Sequence, residues 1–301
     1  MWSAKYTCLS ILVLAFAFTR CSSPTTTDRT FSNYDPAKRS LLNYTFIGAV
    51  DNAPVHALET FDRAVINDLD IKSITIFSKG GKNPEDTLEK RQYSYSDQAK
   101  QLHYTDYRFD ETPNIWSDGK LDFNWKEGNG NIVFTKNFGV QRSHKTKIER
   151  IKNGYLFLRE KLANRIDSTW IYGDLKQPDK VITKIGNSLY SVEIFLPEGS
   201  STSQIESVFN NLGFTQQSLM LAEKTVVFTK NNRPTSAFLL NEFFSQIAQT
   251  KKWVYDKQQN LIQYDEYVGN TTTRSISWSY REDLLPDMMT IDRKQYFYSY
   301  E

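Results

Sequence analysis

The chain has 301 residues, with 37 Lys and Arg against 35 Asp and Glu. Taking away residues 1–20 removes Lys5 and Arg20 and no acid, so the remainder is formally neutral, which excludes the basic excess of a nucleic-acid binder. The length can bury a sizeable core without staples, as one large domain or two smaller ones, and the cysteines, Cys8 and Cys21, leave no intrachain disulfide once residues 1–20 are gone.

Met1–Thr7 is a short head carrying Lys5, and Leu9–Phe18 follows as an apolar run. The run is too short to span a bilayer but fits the core of a signal peptide, so residues 1–20 read as an export signal. No later segment approaches the length of a membrane-spanning helix. Ser22, Ser23, Pro24 and Thr25–Thr27 follow Cys21, and residues 21–40 are polar and without periodicity, as a flexible tether would be. This arrangement resembles a bacterial lipoprotein signal. The resemblance implies a lipid on Cys21 and a domain anchored at the membrane of the cell envelope, on its periplasmic or surface side. Stable anchoring needs more than one acyl chain, which a lipoprotein supplies. The other reading is cleavage after Ala15-Phe16-Ala17, giving a secreted protein with Cys21 as a free thiol.

Residues 41–187 read as an antiparallel β-meander with one short helix. Leu41–Val50 is an apolar strand pattern. Pro54 opens a helix with Leu58, Phe61, Val65, Ile66 and Leu69 near helical spacing. Ile71–Phe77 alternates as a strand, and Gly80-Gly81 and Asn83-Pro84 mark a turn. From Leu88 to Pro197 strands are separated by short turn signals: Asp118-Gly119, Gly128-Asn129-Gly130, Asn153-Gly154 and Gly186-Asn187. Links this short make consecutive strands antiparallel neighbours. Aromatics recur at alternate positions, Tyr93 and Tyr95, Phe123 and Trp125, Trp170 and Tyr172, the period of a strand with one buried face.

Residues 188–301 read as an α+β region, either separate or continuous with the preceding sheet. Leu189–Leu196 is a strand. Ser203 and Glu206 form a capping-box pattern before Ile205, Val208, Phe209 and Leu212, with Gly213 at the stop position. Phe214–Leu221 and Thr225–Lys230 read as strands. Pro234 opens a second helix with Leu240, Phe243, Phe244 and Ile247 on one face, and Lys251–Tyr255 returns as a strand. The order β-α-β-β-α-β is that of a ferredoxin-like unit, or a plain extension of the same sheet. Asn260–Glu301 is again strand-like, with its last turn at Asp283–Asp287. The fold class expected is therefore a β-rich α+β protein.

Tyr93–Tyr107 aligns without gaps on Trp253–Tyr267. Tyr95, Gln98, Tyr104 and Tyr107 match Tyr255, Gln258, Tyr264 and Tyr267, and each copy reads as a strand, a polar turn and a second strand. The segment from Tyr255-Asp256 to Asn260-Leu261 resembles the hairpins of YD/RHS-type repeats and of uncharacterised Bacteroidota lipoproteins. The resemblance covers about fifteen residues per copy and implies hairpins. Asp86-Thr87-Leu88 and Asp167-Ser168-Thr169 resemble the glycosylation acceptor of Bacteroidota envelope proteins.

Catalytic signatures are sparse. The chain has no G-x-S-x-G elbow and no glycine-rich phosphate loop. His56, His103 and His144 stand apart, without metal-ligand spacing, and no cofactor is implied. Glycan hydrolysis needs two convergent acids. The adjacent pairs Asp110-Glu111, Asp265-Glu266 and Glu282-Asp283 do not supply them on a strand, where neighbours face opposite ways. Arg142–Lys152 is basic, reading as a charged strand protected from edge pairing or as the contact for a lipid headgroup or acidic glycan. Trp116, Trp125, Trp170 and Trp278 are the candidates for an aromatic binding platform. These features favour a non-catalytic, lipid-anchored envelope protein that binds a protein or glycan through a sheet surface. The alternatives are an exported glycan hydrolase and a carrier of an apolar ligand.

Overall fold

The computed structural model describes residues 41–42, 61–80, 87–96, 101–108, 115–124, 129–137, 141–160, 166–174 and 177–301, all within the compact unit Tyr34–Glu301. The export signal, Cys21, the tether, most of Leu41–Val50, Pro54, His56, Trp125, Asp110-Glu111 and Asp86 lie outside the described residues.

Among the described residues seventeen strands follow one another: β1 (Ser73–Lys79), β2 (Thr87–Ser96), β3 (Gln101–Arg108), β4 (Ile115–Asn124), β5 (Asn129–Asn137), β6 (Gln141–Ile151), β7 (Gly154–Glu160), β8 (Ile166–Gly173), β9 (Pro178–Ile185), β10 (Ser188–Pro197), β11 (Glu223–Lys230), β12 (Arg233–Leu240), β13 (Gln246–Tyr255), β14 (Leu261–Val268), β15 (Thr271–Tyr280), β16 (Pro286–Ile291) and β17 (Lys294–Tyr300). Each pairs with the next, antiparallel wherever the link is short, as at Asn153-Gly154 and Gly186-Asn187; the turn expected at Asp118-Gly119 is instead the middle of β4, paired on both sides. The last pairs with the first, Ile74 against Tyr300 and Phe77 against Phe297, so the sheet closes on itself. A closed ring of purely antiparallel strands needs an even number of them. Seventeen require a parallel interface, and it lies between β10 and β11, Ser191 against Glu223 through Pro197 against Thr229.

A parallel pair needs a crossover long enough to carry the chain back. Residues 198–222 do this with α2 (Thr202–Asn210) and α3 (Gln216–Leu221). The capping box that starts α2 is Ser201 with Gln204, two residues ahead of the predicted Ser203 and Glu206. Thr215 Oγ1 accepts from Ser218 N and turns the predicted strand Phe214–Leu221 into α3. Ile205, Phe209 and Leu219 bury against the outer face of the sheet, on Ile182, Val192, Ile194, Val226 and Phe228. The helix expected from Pro234 is instead strand β12, paired on both sides. Its apparent helical stripe is split: Leu240 ends a strand, Phe243 and Phe244 occupy the following turn, and Ile247 starts β13. The ferredoxin-like segment is therefore not present, and residues 188–301 continue the ring begun before them.

The hairpin turns sort the ring into two ends. The lower end carries turns 152–153, 231–232, 256–260 and 281–285; the upper end carries 186–187, 241–245, 269–270 and 292–293. Asn231 and Asn232 both have positive φ, the conformation that matches a tight hairpin to strand twist. Inside, the lower half is packed. Tyr93, Leu102, Ile148, Ile171, Trp253, Tyr264 and Ile276 face inward and are almost completely buried. A ring this wide leaves space that strand side chains alone do not fill. The incoming chain fills part of it. Leu41 and Phe61 are buried, Asp62 N donates to Leu41 O, and the Phe61 ring meets Tyr93 edge-on at 4.9 Å. Asp62 caps the short helix α1 (Arg63–Asp68), whose Val65 and Ile66 complete the plug.

Candidate functional site

The outer face of β2–β5 holds a half-open trough of about 510 Å3, within the range of small-ligand sites. Strand alternation and register build it. Tyr93, Tyr95, Leu102 and Tyr104 turn inward, so the residues between them turn out. Ser94, His103, Lys120 and Val133 lie side by side across four strands, and Ser96, Gln101, Asp122 and Asn131 form the next row. These eight residues, with Tyr95 and Leu102, line the trough. Lys145 stands opposite Val133 and Lys147 opposite Asn131, which extends both rows with exposed cations. The polar groups are those that bind sugars, amides and hydroxyls that donate and accept; Lys147 is paired with Glu149, and Lys120 and Lys145 against Asp122 favour an anion.

The basic stretch predicted as a protected edge is β6. It is paired on both sides, so it is no edge; Lys145 and Lys147 border this trough. Ser96 Oγ donates to Gln101 Oε1 at 3.1 Å, holding one end of the second row.

The interior face is polar at its upper end, in two groups. On β17, β2 and β3, Glu89 accepts from Lys294 Nζ at 2.8 Å and from Tyr296 OH at 2.7 Å. Burial opposes ionisation of Glu89, but these two bonds and the charges of Lys294 and Arg91 more than offset it, and its pKa is lowered. Arg91 Nε lies 3.5 Å from Asp106 Oδ1, and Tyr104 OH donates to the other oxygen of Asp106. On β10, β13, β14 and β15, Lys251 Nζ donates to Glu193 at 3.3 Å, Tyr264 OH donates to Glu266 at 2.9 Å, and Arg274 lies 3.9 Å from Glu266. Burial pushes the phenols of Tyr104 and Tyr264 far up, so both act as donors. Lys251 is enclosed by protein yet keeps 31 % of its side chain open, as a wetted concave lining does.

The upper rim is apolar along one arc. Ile166, Tyr190, Met220, Leu221, Phe243, Ile247 and Val268 are exposed, Leu221 at 82 %, and all stand at the upper ends of β8 to β14. Away from the crossover helices the described outer face is mixed, with Phe77 against Phe297 and the exposed Val133 among polar positions. β15 presents Thr271, Thr273, Ser275, Ser277 and Ser279, unlike the apolar belt of a membrane-embedded barrel.

The tryptophans separate. Trp278 faces inward, 7 % exposed, and its Nε1 donates to Tyr298 OH at 3.3 Å, so it belongs to the core. Trp170 is half-buried on the outer face beside the crossover helices, with Lys184 Nζ 5.0 Å above its ring. Trp116 lies on β4, opposite Tyr107 and Asn137. Trp170 and Trp278, on opposite faces, are not brought together in one platform. Asp265 and Glu266 do face opposite ways: Asp265 accepts from Ser275 and Gln263 on one side, Glu266 from Tyr264 on the other. Asp283 is taken up by Arg281 in the β15–β16 turn. Sequence reading missed the interior charges. The signal was present, since Arg91 and Asp106 match Lys251 and Glu266 at the same spacing as the aromatic matches between Tyr93–Tyr107 and Trp253–Tyr267.

No protein-family model matches the chain, and no curated protein matches its sequence. Among solved structures it is similar to a porin-like protein from Bacteroides uniformis, at 9 % identity and a TM-score of 0.30, covering 77 % of this chain and 98 % of that one. It is also similar to a beta-barrel-like protein of a domain of unknown function from Brucella abortus, at 9 % identity and a TM-score of 0.22, covering 77 % and 96 %. At these values the likeness carries neither family nor function.

Proposed function

We propose that this is a non-catalytic binding protein of the bacterial cell envelope, held at the membrane by lipid on Cys21, whose outer sheet face binds an acidic glycan. The observation that carries the reading is the trough on β2–β5. Gln101, Asp122 and Asn131 supply planar hydrogen-bonding groups for sugar hydroxyls, and Lys120 and Lys145 supply positive charge for a carboxylate on the sugar. The rigid ring pre-organises both rows, which keeps the ordering cost of binding low. The apolar rim supports the membrane part of the reading, since it gives the fold a surface suited to a lipid boundary.

An apolar cargo fits less well, because the open upper interior is lined with Glu89, Arg91, Asp106, Lys251 and Glu266. A glycan hydrolase needs two convergent acids, and the adjacent pairs in the described residues do not converge.

The test is calorimetric titration of the mature chain with oligogalacturonates and, in parallel, neutral malto-oligosaccharides. We expect saturable binding of the acidic series only, weakened about tenfold or more, roughly 1.4 kcal/mol, in Lys120→Ala with Asn131→Ala. Binding that ignores this double variant, or no binding of either series, refutes the trough. Membrane fractionation and intact mass of wild type against Cys21→Ser tests the anchor: acyl mass and membrane retention lost together support it, and a soluble wild type refutes it.

A further inference from the structure

Charges turned into a protein interior cost desolvation, so a charged device that occurs twice at matching places calls for a physical reason. Hairpins β2–β3 and β13–β14 carry the same device, offset by 160 from Tyr93 to Trp253. Each has a cation, Arg91 or Lys251, and an aromatic two residues on, Tyr93 or Trp253. Across the ladder each has a tyrosine, Tyr104 or Tyr264, and an acid two residues on, Asp106 or Glu266. The aromatic pairs face each other, centroids 4.9 and 5.4 Å apart. In both copies the tyrosine hydroxyl donates to the acid.

The copies differ at the cation. Lys251 reaches past Ala237 and Thr225 to a third partner, the Glu193 carboxylate on β10. The corresponding path from Arg91 runs over Ile76 and Tyr296, whose ring lies 5.9 Å from the guanidinium carbon, to Met289, so no carboxylate occupies the equivalent place. Glu89, the acid on the same strand face, is already taken by Lys294 and Tyr296. Arg91 Nε is buried and makes no hydrogen bond; Asp106 faces it at 3.5 Å outside bonding geometry. No group among the described residues accepts a hydrogen bond from this guanidinium, yet 22 % of the side chain is open. A guanidinium is a planar fork matched to a carboxylate, and one with unused donors in an enclosed lining is a receptor for that group.

We propose that Arg91 binds a carboxylate-bearing small ligand in the upper interior between β17 and β3, in the place that the protein's own Glu193 fills beside Lys251. Asp106 stays behind the fork and Lys294 balances Glu89, so an incoming anion meets a site without net charge. The second hairpin is the same site with its ligand built in. This inference is independent of the outer trough, which lies on the opposite face of the same strands.

Arginine side-chain resonances of the 15N-labelled mature chain report on the site directly, with acetate as the probe and chloride at equal ionic strength as the reference. We expect one saturable acetate response, at the Nε–H signal that vanishes in Arg91→Lys. Glu193→Gln should add a second response, at the Lys251 ammonium, because it empties the twin site. Both variants keep the size of the original residue, and a thermal melt confirms folding; Glu193→Ala replaces Glu193→Gln if the amide itself holds Lys251. Equal shifts with acetate and chloride, or saturable binding that survives Arg91→Lys, overturn the proposal. So does a folded Glu193→Ala chain that gains no second response. Loss of glycan binding in the trough variant with the acetate response intact leaves this site standing.

Discussion

Gly154 begins β7 at φ +151°, and a β-carbon there would sit 1.9 Å from the Ile171 carbonyl oxygen and 2.9 Å from Tyr172 Cα. Those are backbone atoms of β8, held in the ladder by the pairing of Gly154 with Tyr172. They cannot swing aside as a side chain end would. Gly154→Ala therefore adds two penalties. The backbone conformation costs an L-residue about 1–3 kcal/mol, and overpacking against a fixed wall costs about 1–3 kcal/mol more. Gly213→Ala provides the reference. Gly213 has φ +76° and open space where its β-carbon would go, so only the conformational penalty applies, about 1 kcal/mol. In a ring of this size 1 kcal/mol moves the melting temperature by roughly 2–4 °C. Thermal melts of both variants should then place Gly154→Ala several degrees below Gly213→Ala, at an unchanged far-ultraviolet spectrum. Equal shifts for the two variants would mean that β7 and β8 do not approach this closely, and the register there would have to be redrawn.

Two further outcomes follow from single contacts. Glu89 has a lowered folded pKa, so its contribution is complete above the ordinary carboxylate value of 4.5 and is lost as pH falls through the folded value. Glu89→Gln should lower stability at pH 7 by about 1.5–3 kcal/mol, the worth of hydrogen bonds to a charged group. The gap between variant and wild type should close below pH 4.5, and a gap constant across that range would contradict the assignment. Asp62 Oδ1 accepts from Ala64 N at 2.9 Å and caps α1. Asp62→Ala should cost about 1 kcal/mol and raise amide exchange first in α1, while exchange in β10 and β11 stays as it was; uniform acceleration would show that the plug and the ring open together.

Local chemistry was legible wherever one residue's neighbours in the chain decide its conformation. Tyr93 and Tyr95 alternate as a half-buried strand should, Asn153-Gly154 turns where expected, and the resemblance of Tyr93–Tyr107 to Trp253–Tyr267 marked two hairpins that do share a geometry. Errors arose where a pattern was assembled from pieces of different elements. Leu240, Phe243, Phe244 and Ile247 fall at helical spacing by coincidence of a strand end, a turn and a strand start. Thr215 caps α3 although the apolar run Leu219-Met220-Leu221 also suits a strand. The trough was not legible at all, since His103, Lys120 and Val133 are neighbours only through register, and register is set by pairing across the sheet. Ring closure was hidden for the same reason: nothing near Ile74 in the chain announces Tyr300.

Closure also orders events in time. Among the described residues fifteen antiparallel interfaces join consecutive strands and can form as soon as both strands exist. The β1–β17 interface cannot. Ser73 Oγ donates to Glu301, and Lys72 N and Ser73 N donate to Glu301 O, so the seam joins residues more than two hundred positions apart. Until β17 arrives, β1 and β16 present open ladders of unpaired backbone groups, the templates on which chains associate wrongly. A chain stopped before Lys294 would keep every hairpin up to β15–β16 and lack both β17 seams, so it should aggregate rather than merely lose stability. Quality of the finished protein thus rests on a seam whose second strand is made more than two hundred residues after the first, and the interval before it appears is the one in which the chain most needs protection.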